Sequence, residues 1–415
     1  MNFNPQNIKT LPLSERISKS NIEDILVNPD QTPPPSNNLQ IIQQLAQQIK
    51  QARANNKPVI ITFGAHLIKN GLSPIIIKLI QQGLITHLAT NGAGSIHDWE
   101  LAFHGKTEED VRHYAQKGQF GLWTETGKYL NQAIIDGANN NLGYGESIGK
   151  MIYEEELIIN KNIDNLIQDK SINPVGEDNQ KNENLNESNL TDISNLRNSP
   201  TNVGYGAEKV NNINNSKEDI NHQENENPNE SNLGDINKMR NSRVQAGYEA
   251  VPHPHKALSL QATAFKHNIP FTVHPCLGQD IIHISPYCNF EAIGKTAQID
   301  FNRFINSVLN LEGGIYISIG SAIMSPMIFE KAISVARNIA HQNNQQITDF
   351  SIIINDIHPS GDWNWNSNQD PPKTSPAYYL RFCKTFNRMG AREIHYIQED
   401  NRTFLMNLYK ELQKT

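Results

Sequence analysis

Cysteine is scarce. Cys276, Cys288 and Cys383 are the only three in 415 residues. They are odd in number and lack the spacing of a metal site or a dithiol pair, which excludes a disulfide framework and points to packed thiols in a reducing compartment. Metal-ligand patterns are missing as well. His253 and His255 in HPH, and His97 beside Asp98, have no HxxxH or carboxylate triad to complete them, so no metal is expected. Basic clusters are absent: 36 Lys and Arg stand scattered against 43 Asp and Glu, for a net charge of -7, which excludes nucleic acid as a natural partner. No apolar run approaches the roughly 20 residues of a membrane span. The opening MNFNPQNIKTLPLSERISKS has no signal-peptide core, so no membrane partner and a cytoplasmic location are expected. Neither GxGxxG nor a P-loop occurs.

What is present is organised around residues 58–99. Val59 to Phe63 is a β-branched apolar run, too short for a helix, and reads as a strand buried on both faces. It stops at Gly64-Ala65-His66. A helix is predicted from Ser73-Pro74, with Ser as N-cap, Pro at the first helical position and Gly83 as its end. Leu84 to Thr90 is the next strand, closed by NGAGS. Strand, helix, strand in so few residues is a parallel βαβ unit, whose strand-end crevice is where α/β sheets bind ligands.

Around this unit, residues 1–38 read as an arm ending in the stiff linker TPPPSNN, and residues 39–415 as one domain. Leu39 to Asn55 has helical periodicity. After the second strand, HDWELAFHGKTEEDV, Thr124 to Asp136 and Ser147 to about Gln168 read as helices, with no strand among them. From Lys170 to Tyr248, Asn, Glu, Asp and Ser dominate, and NENLNESNLTDISNLRNS recurs as NENPNESNLGDINKMRNS. This reads as a disordered insertion in a surface loop, because the repeat has no apolar face to stack.

Order is predicted to return at His253. Lys256 to Lys266 reads as a helix and Pro270 to His274 as a strand closed by PCLGQD. A helix from about Asp300 precedes the strand Gly314 to Ile319, which ends at Gly320-Ser321-Ala322, and Ser325-Pro326 opens another helix. Phe350 to Ile354 and Glu393 to Ile397 are further strands, followed by a helix from about Thr403. The fold class is therefore α/β: a Rossmann-like doubly wound, mostly parallel sheet of about six strands with helices on both faces. Right-handed crossovers gather the strand-end loops on one edge, bringing His66, Asn91, His97 and Asp98 near Asp280, Ser321, Asn355, Asp356, Asp362, Glu399 and Asp400.

Three features there admit two readings each. NGAGS lets backbone N–H groups approach a phosphate, or is simply a tight turn. Trp363 and Trp365 cover a ligand or cap the core edge. Lys384, in YYLRFCKTF, is either a desolvated amine suited to imine formation or a lysine whose stem packs while its amine meets water.

The succession GAHLIKNGL, TNGAGSIHD, the LGQD loop and the last strand with its helix resembles the deoxyhypusine synthase family, closer to its bacterial deoxyhypusine synthase-like branch. The resemblance covers nearly all of the chain outside the Asn-rich segment. It implies a homotetramer with NAD bound between subunits, and aminobutyl transfer from a polyamine through an imine on an enzyme lysine. It places NAD contacts at Ala65, His66, Lys69, Asn91, Gly92 and Ala93, and further ones near Gly320, Asn355, Asp356, Glu399 and Asp400. Asp280 and Asp362 would face the amine, Lys384 would carry the imine, and His97 would shuttle a proton or touch the cofactor. The chain differs from the family where paired glutamates become Ile96 and His97, and where paired histidines become Ser325-Pro326. The function expected is thus an NAD-dependent transferase on a small amine, as in homospermidine formation. The alternative is a non-catalytic nucleotide-binding scaffold that uses its Asn-rich segment to hold partners.

Overall fold

A computed structural model describes residues 3–158, 248–361, 363–367 and 369–414. The Asn-rich segment through residue 247, its repeat, and Asp362 lie outside the described residues.

In chain order, the arm contributes β1 (Ser18–Asn21) and the single turn α1 (Ile22–Ile25), and α2 (Leu39–Ala54) leads into β2 (Val59–Phe63). Then come α3 (His66–Lys69), α4 (Ser73–Gln81), β3 (His87–Thr90) and α5 (Gly92–His104). β4 (Lys106–Glu109), α6 (Val111–Gln116), α7 (Thr124–Asn139), α8 (Tyr144–Glu154), β5 (Glu156–Ile158) and β6 (Tyr248–Ala250) form the middle of the chain. Beyond them lie α9 (Leu260–Lys266), β7 (Phe271–Val273), α10 (Phe290–Leu309), β8 (Ile315–Ile319) and α11 (Met324–Gln342). The last elements are β9 (Ser351–Asp356), α12 (Arg381–Asn387), β10 (Glu393–Gln398) and α13 (Asn401–Leu412).

Six strands make one sheet in the order β10-β9-β8-β2-β3-β7, and every neighbouring pair is parallel. The chain starts in the middle at β2, builds outward through β3 to β7, then crosses back past β2 to lay down β8, β9 and β10. That is the doubly wound order of dinucleotide-binding folds, and it reverses between β2 and β8.

Strand parity sets the two cores. Val59, Ile61, Phe63, Ile317 and Ile319 point to one face, where Ile42 of α2, Ile76 of α4, Ile96 of α5 and Phe404 of α13 pack. Ile60, Tyr316, Ile352 and Ile354 point to the other, under Phe304 of α10, Phe329 of α11 and Phe386 of α12.

The structure departs from the sequence reading at several places, each with a local cause. Ser73 is the first residue of α4 and Leu72 takes the cap position. NGAGS is the start of a helix rather than a loop: Asn91 accepts from the Gly94 N–H at 2.9 Å, so α5 is already turning at Gly92. The stretch after β3 does contain a strand, since β4 pairs antiparallel with β1 of the arm, and only that long-range partner makes Lys106 to Glu109 extend. α10 opens at Phe290 because Asn289 caps it through Ala292 N–H at 2.9 Å. The stretch from Lys256 breaks into a 3-10 turn over residues 256–258 and α9, where the Ser259 hydroxyl accepts from Ala262 N–H at 3.0 Å. α8 ends at Glu154, and Glu155 takes the left-handed conformation with φ of 56° before β5 begins. Among the described residues, no helix is long and apolar enough to cross a membrane.

Candidate functional site

At the switch point the loops after β2 and β8 touch. A Cβ on Gly64 would lie 2.3 Å from the Gly320 carbonyl oxygen, so only glycine permits the contact. Gly320 itself takes φ of +52°, and its N–H donates to the Asn355 carbonyl at 2.9 Å. Asn355 is fully buried. Its amide donates to the carbonyls of Ile397 (3.2 Å) and Glu399 (2.8 Å), tying the ends of β9 and β10 together, while its Oδ1 has no partner among the described residues. α11 starts four residues after Gly320, so the positive end of a long helix dipole faces this crevice.

Other residues expected here have structural partners. Asp356 Oδ1 accepts from His358 N–H at 3.1 Å and lies 2.6 Å from His358 Nδ1. Glu399 accepts from the Ser36 hydroxyl at 2.9 Å, and Asp400 caps α13 through Arg402 and Thr403 N–H groups at 3.0 and 3.1 Å. Ala65 is half-buried and His66 exposed at the start of α3. Asp98, expected in the crevice, is buried beneath it. It accepts from Ser259 Oγ (2.7 Å), Leu260 N–H (2.8 Å) and Gln261 N–H (3.1 Å), so it anchors the start of α9.

Beside the switch point, at the carboxyl ends of β2, β3 and β7, lies a cavity of about 300 Å³. Lys69, Ala93, His97 and Asp280 line it together, with Arg16 and Lys19 from the arm, Glu100, Glu108 and Glu109, and an apolar wall of Ile96, Val111, Phe120 and Ile281. Asp280 is held against the first turn of α5: a Cβ on Gly92 would fall 2.0 Å from its Oδ2, which explains the glycine there. The side chain is 9% exposed and Oδ2 is buried without a hydrogen-bond partner among the described residues. Burial pushes its carboxyl up to about 6. Behind it, His283 Nδ1 accepts from the N–H groups of Gly278 and Asp280, both at 3.2 Å, so its proton sits on Nε2, 4.0 Å from Asp280 Oδ2.

His97 is set by a chain that begins in the arm. Arg16 grips Glu100 with its two terminal guanidinium nitrogens, at 2.5 and 3.1 Å, and both side chains are 1% exposed. Arg16 holds the Glu100 carboxyl below its usual range against the opposing effect of burial. Glu100 accepts the Thr107 hydroxyl hydrogen at 2.6 Å, so the Thr107 oxygen accepts from His97 Nδ1 at 2.6 Å. This leaves Nε2 as a bare lone pair in a cavity wall. Burial lowers His97 to about 4, so it stays neutral near pH 7. Arg16, Glu100, Thr107 and Glu108 escaped the sequence reading; the acid pattern of TEED is visible in the chain, but its partner strand in the arm is not.

Lys384 is not in this group. It sits on α12, on the opposite face of the sheet, with Nζ 3.8 Å from the centroid of the Tyr378 ring, and it is not among the cavity's lining residues. His97 and Lys384 therefore do not meet within one chain. Trp365 is buried and stacks on Tyr396, with Trp363 against it, which is the core-capping alternative. His253 is buried beside Trp99 and Phe103. Among the described residues no cluster could hold a metal ion.

No family model and no curated protein matches the chain. Among solved structures it is similar to a conserved putative LOR/SDH protein from Methanococcus maripaludis S2, at 11% identity over 92% of this chain and 73% of that one, with a TM-score of 0.40. It is also similar to AgrE solved in a ternary complex with ornithine and NAD+ (11% identity, 90% of this chain and 33% of that one, TM-score 0.39). A third is ArgZ, an arginine dihydrolase from the ornithine-ammonia cycle in cyanobacteria (12% identity, 90% and 32%, TM-score 0.37). The chain spans about a third of the length of AgrE and ArgZ. None of the three is a deoxyhypusine synthase, and that resemblance rests on the loops of the sequence alone.

Proposed function

We propose that this chain is an NAD-dependent enzyme that oxidises a small primary amine. The observation that carries the reading is Asp280: a carboxylate with an unpartnered buried oxygen, in a cavity beside the switch point of a doubly wound sheet. The switch point suits a dinucleotide in its glycine contact, the N-terminus of α11 and the free Oδ1 of Asn355. It differs from the common pattern at the end of β3, where Asn91 caps α5 and no acid stands ready for a ribose hydroxyl. NAD contacts are assigned to Ala65, His66, Gly320, Asn355, Asp356 and Glu399, with Gly92 and Ala93 at the border of the cavity. Asn91 and Asp400 act through the helices they cap.

NAD, when bound, supplies a hydride acceptor for the carbon next to the amine nitrogen. The chain's own residues prepare that carbon. Asp280 holds the ammonium by charge, and the apolar wall of Ile96, Val111, Phe120 and Ile281 takes the carbon chain. An ammonium must lose a proton before its carbon can give up hydride, and His97 Nε2, five residues along α5 from Gly92, is the unprotonated base at hand. Arg16, Glu100 and Thr107 keep that lone pair turned outward.

Transfer of an aminobutyl group through an imine on Lys384 is the finer form of this reading, and the sequence resemblance supports it. With Lys384 on the other face of the sheet, that form needs a second copy of the chain to bring the lysine to the cavity, as a homotetramer would. The experiment is to follow NADH while the protein is mixed with NAD and a panel of primary amines. Amine-dependent NADH that falls at least about 100-fold in Asp280→Asn supports the reading. No NADH with any amine would overturn it.

A further inference from the structure

Deciding which amine the cavity takes rests on the reading above, and it turns on which charged groups have bonding capacity left. Glu100 is satisfied by Arg16 and Thr107. Glu109 accepts from Trp123 Nε1 at 3.0 Å and from Gly121 N–H at 3.1 Å. Glu108 accepts from Lys69 Nζ at 3.1 Å and from the Ser20 hydroxyl at 3.2 Å. Of the cavity's four carboxylates, only Asp280 has an oxygen that is buried without a hydrogen-bond partner among the described residues. A polyamine brings two or more ammonium groups, and beyond the first each would have to break a pair that already exists.

On the cationic side, Arg16 is fully engaged by Glu100 and stacks near Trp123, and Lys19 pairs with Asp110 at 3.3 Å outside the lining. Lys69 is different. It is 20% exposed, and among the described residues one of the three hydrogens on its ammonium is committed, to Glu108. Lys69 comes after β2 and Asp280 after β7, with β3 between those strands in the sheet, and both line the cavity. The same cavity is lined by apolar side chains, among them Ala93, Ile96 and Ile281.

We infer that the cavity's ligand is an amino acid, its ammonium on Asp280 and its carboxylate on Lys69, with an aliphatic chain between. An anchor for each sign in one cavity, with apolar side chains in the same lining, fits a molecule charged at both ends with opposite sign and rejects one charged alike at both.

Three ligands of equal length separate the possibilities: 5-aminopentanoate, pentylamine and cadaverine, identical but for a carboxylate, a methyl or an ammonium at the far end. Their affinities for the full chain, loaded with NAD, are measured by calorimetry. The inference predicts that 5-aminopentanoate binds at least tenfold tighter than either of the others. Lys69→Met should cut that preference below threefold while Lys69→Arg keeps most of it, and unchanged melting of both variants shows that the fold is intact. Cadaverine binding as tightly as 5-aminopentanoate would overturn the inference in favour of a diamine, and equal binding of pentylamine would overturn it in favour of an apolar tail. If none of the three binds but another amine still reduces NAD, the inference fails and the amine oxidation stands. If no amine binds or reduces NAD, the functional reading itself fails.

Discussion

Asp280 has to be ionised to hold an ammonium, and burial sets its carboxyl at about 6. Amine binding should therefore tighten as pH rises through about 6 and level off above it, while His97, lowered to about 4, is already neutral over that range. A calorimetric pH series checks this, and Asp280→Asn should remove both the binding and its pH dependence. Asp300 makes a separate case. It is fully buried, accepts from Val273 and Gly145 N–H groups at 2.8 and 3.0 Å, and burial raises it from an ordinary 3.8 to about 7. The folded protein then keeps a proton that the unfolded chain has lost, so this group's contribution to stability falls as pH rises from about 4 to about 7. Urea unfolding across that range should show the decline, and Asp300→Asn should flatten it. The sequence puts Asp280 and His97 at the carboxyl edge of the sheet because each comes after a strand, whereas Lys69 enters only through the family resemblance, and there as a cofactor contact. Thr107 was not legible, since nothing near it in the chain shows that its hydroxyl sets a histidine tautomer. Thr107→Val should lower kcat by roughly tenfold or more with little change in KM, because the ring loses its orienting acceptor while the ammonium anchor stays.

Among elements, α5 and the arm carry the site. Gly92 is small because Asp280 lies over it, and Gly92→Ala would set a Cβ 2.0 Å from the carboxylate. Amine affinity should drop at least tenfold, which calorimetry of the variant beside the wild type reads. The arm, read from the sequence as an arm and linker, contributes Arg16 and Lys19 to the cavity wall. β1 pairs with β4, and Arg16 enters the interior to meet Glu100. Arg16→Met would leave Glu100 buried without a counter-charge and should cost roughly 3–5 kcal/mol in urea unfolding, far above an exposed pair. The sheet strands could be read locally because burial on both faces makes them continuous apolar runs. β4 could not, since Lys106 to Glu109 is polar and extends only against its distant partner. Asn91 misled for the opposite reason: NGAGS has the composition of a turn, yet one side-chain hydrogen bond makes it the first turn of a helix.

For the whole molecule, alternating strands and helices were enough to foresee a doubly wound sheet, and the strand order adds where it reverses. Alternation alone could not say that the lysine expected to carry the substrate lies across the sheet from the cavity, since a side chain's face depends on which helix packs on which side. The described residues nearest the Asn-rich segment in the chain pair as strands, with Ile158 opposite Tyr248. Replacing residues 162–244 with a short turn should leave NAD and amine binding within about twofold, because loop length costs little; loss of binding would tie that segment to the site. Whether the β2/β8 switch point holds NAD is read by titrating NAD into the wild-type chain and into Gly64→Ala, whose Cβ would press on the Gly320 carbonyl at 2.3 Å. Saturable binding by the wild type and at least tenfold weaker binding by the variant are expected. Equal affinity in the two would place the nucleotide elsewhere, and no binding by the wild type would contradict the account outright.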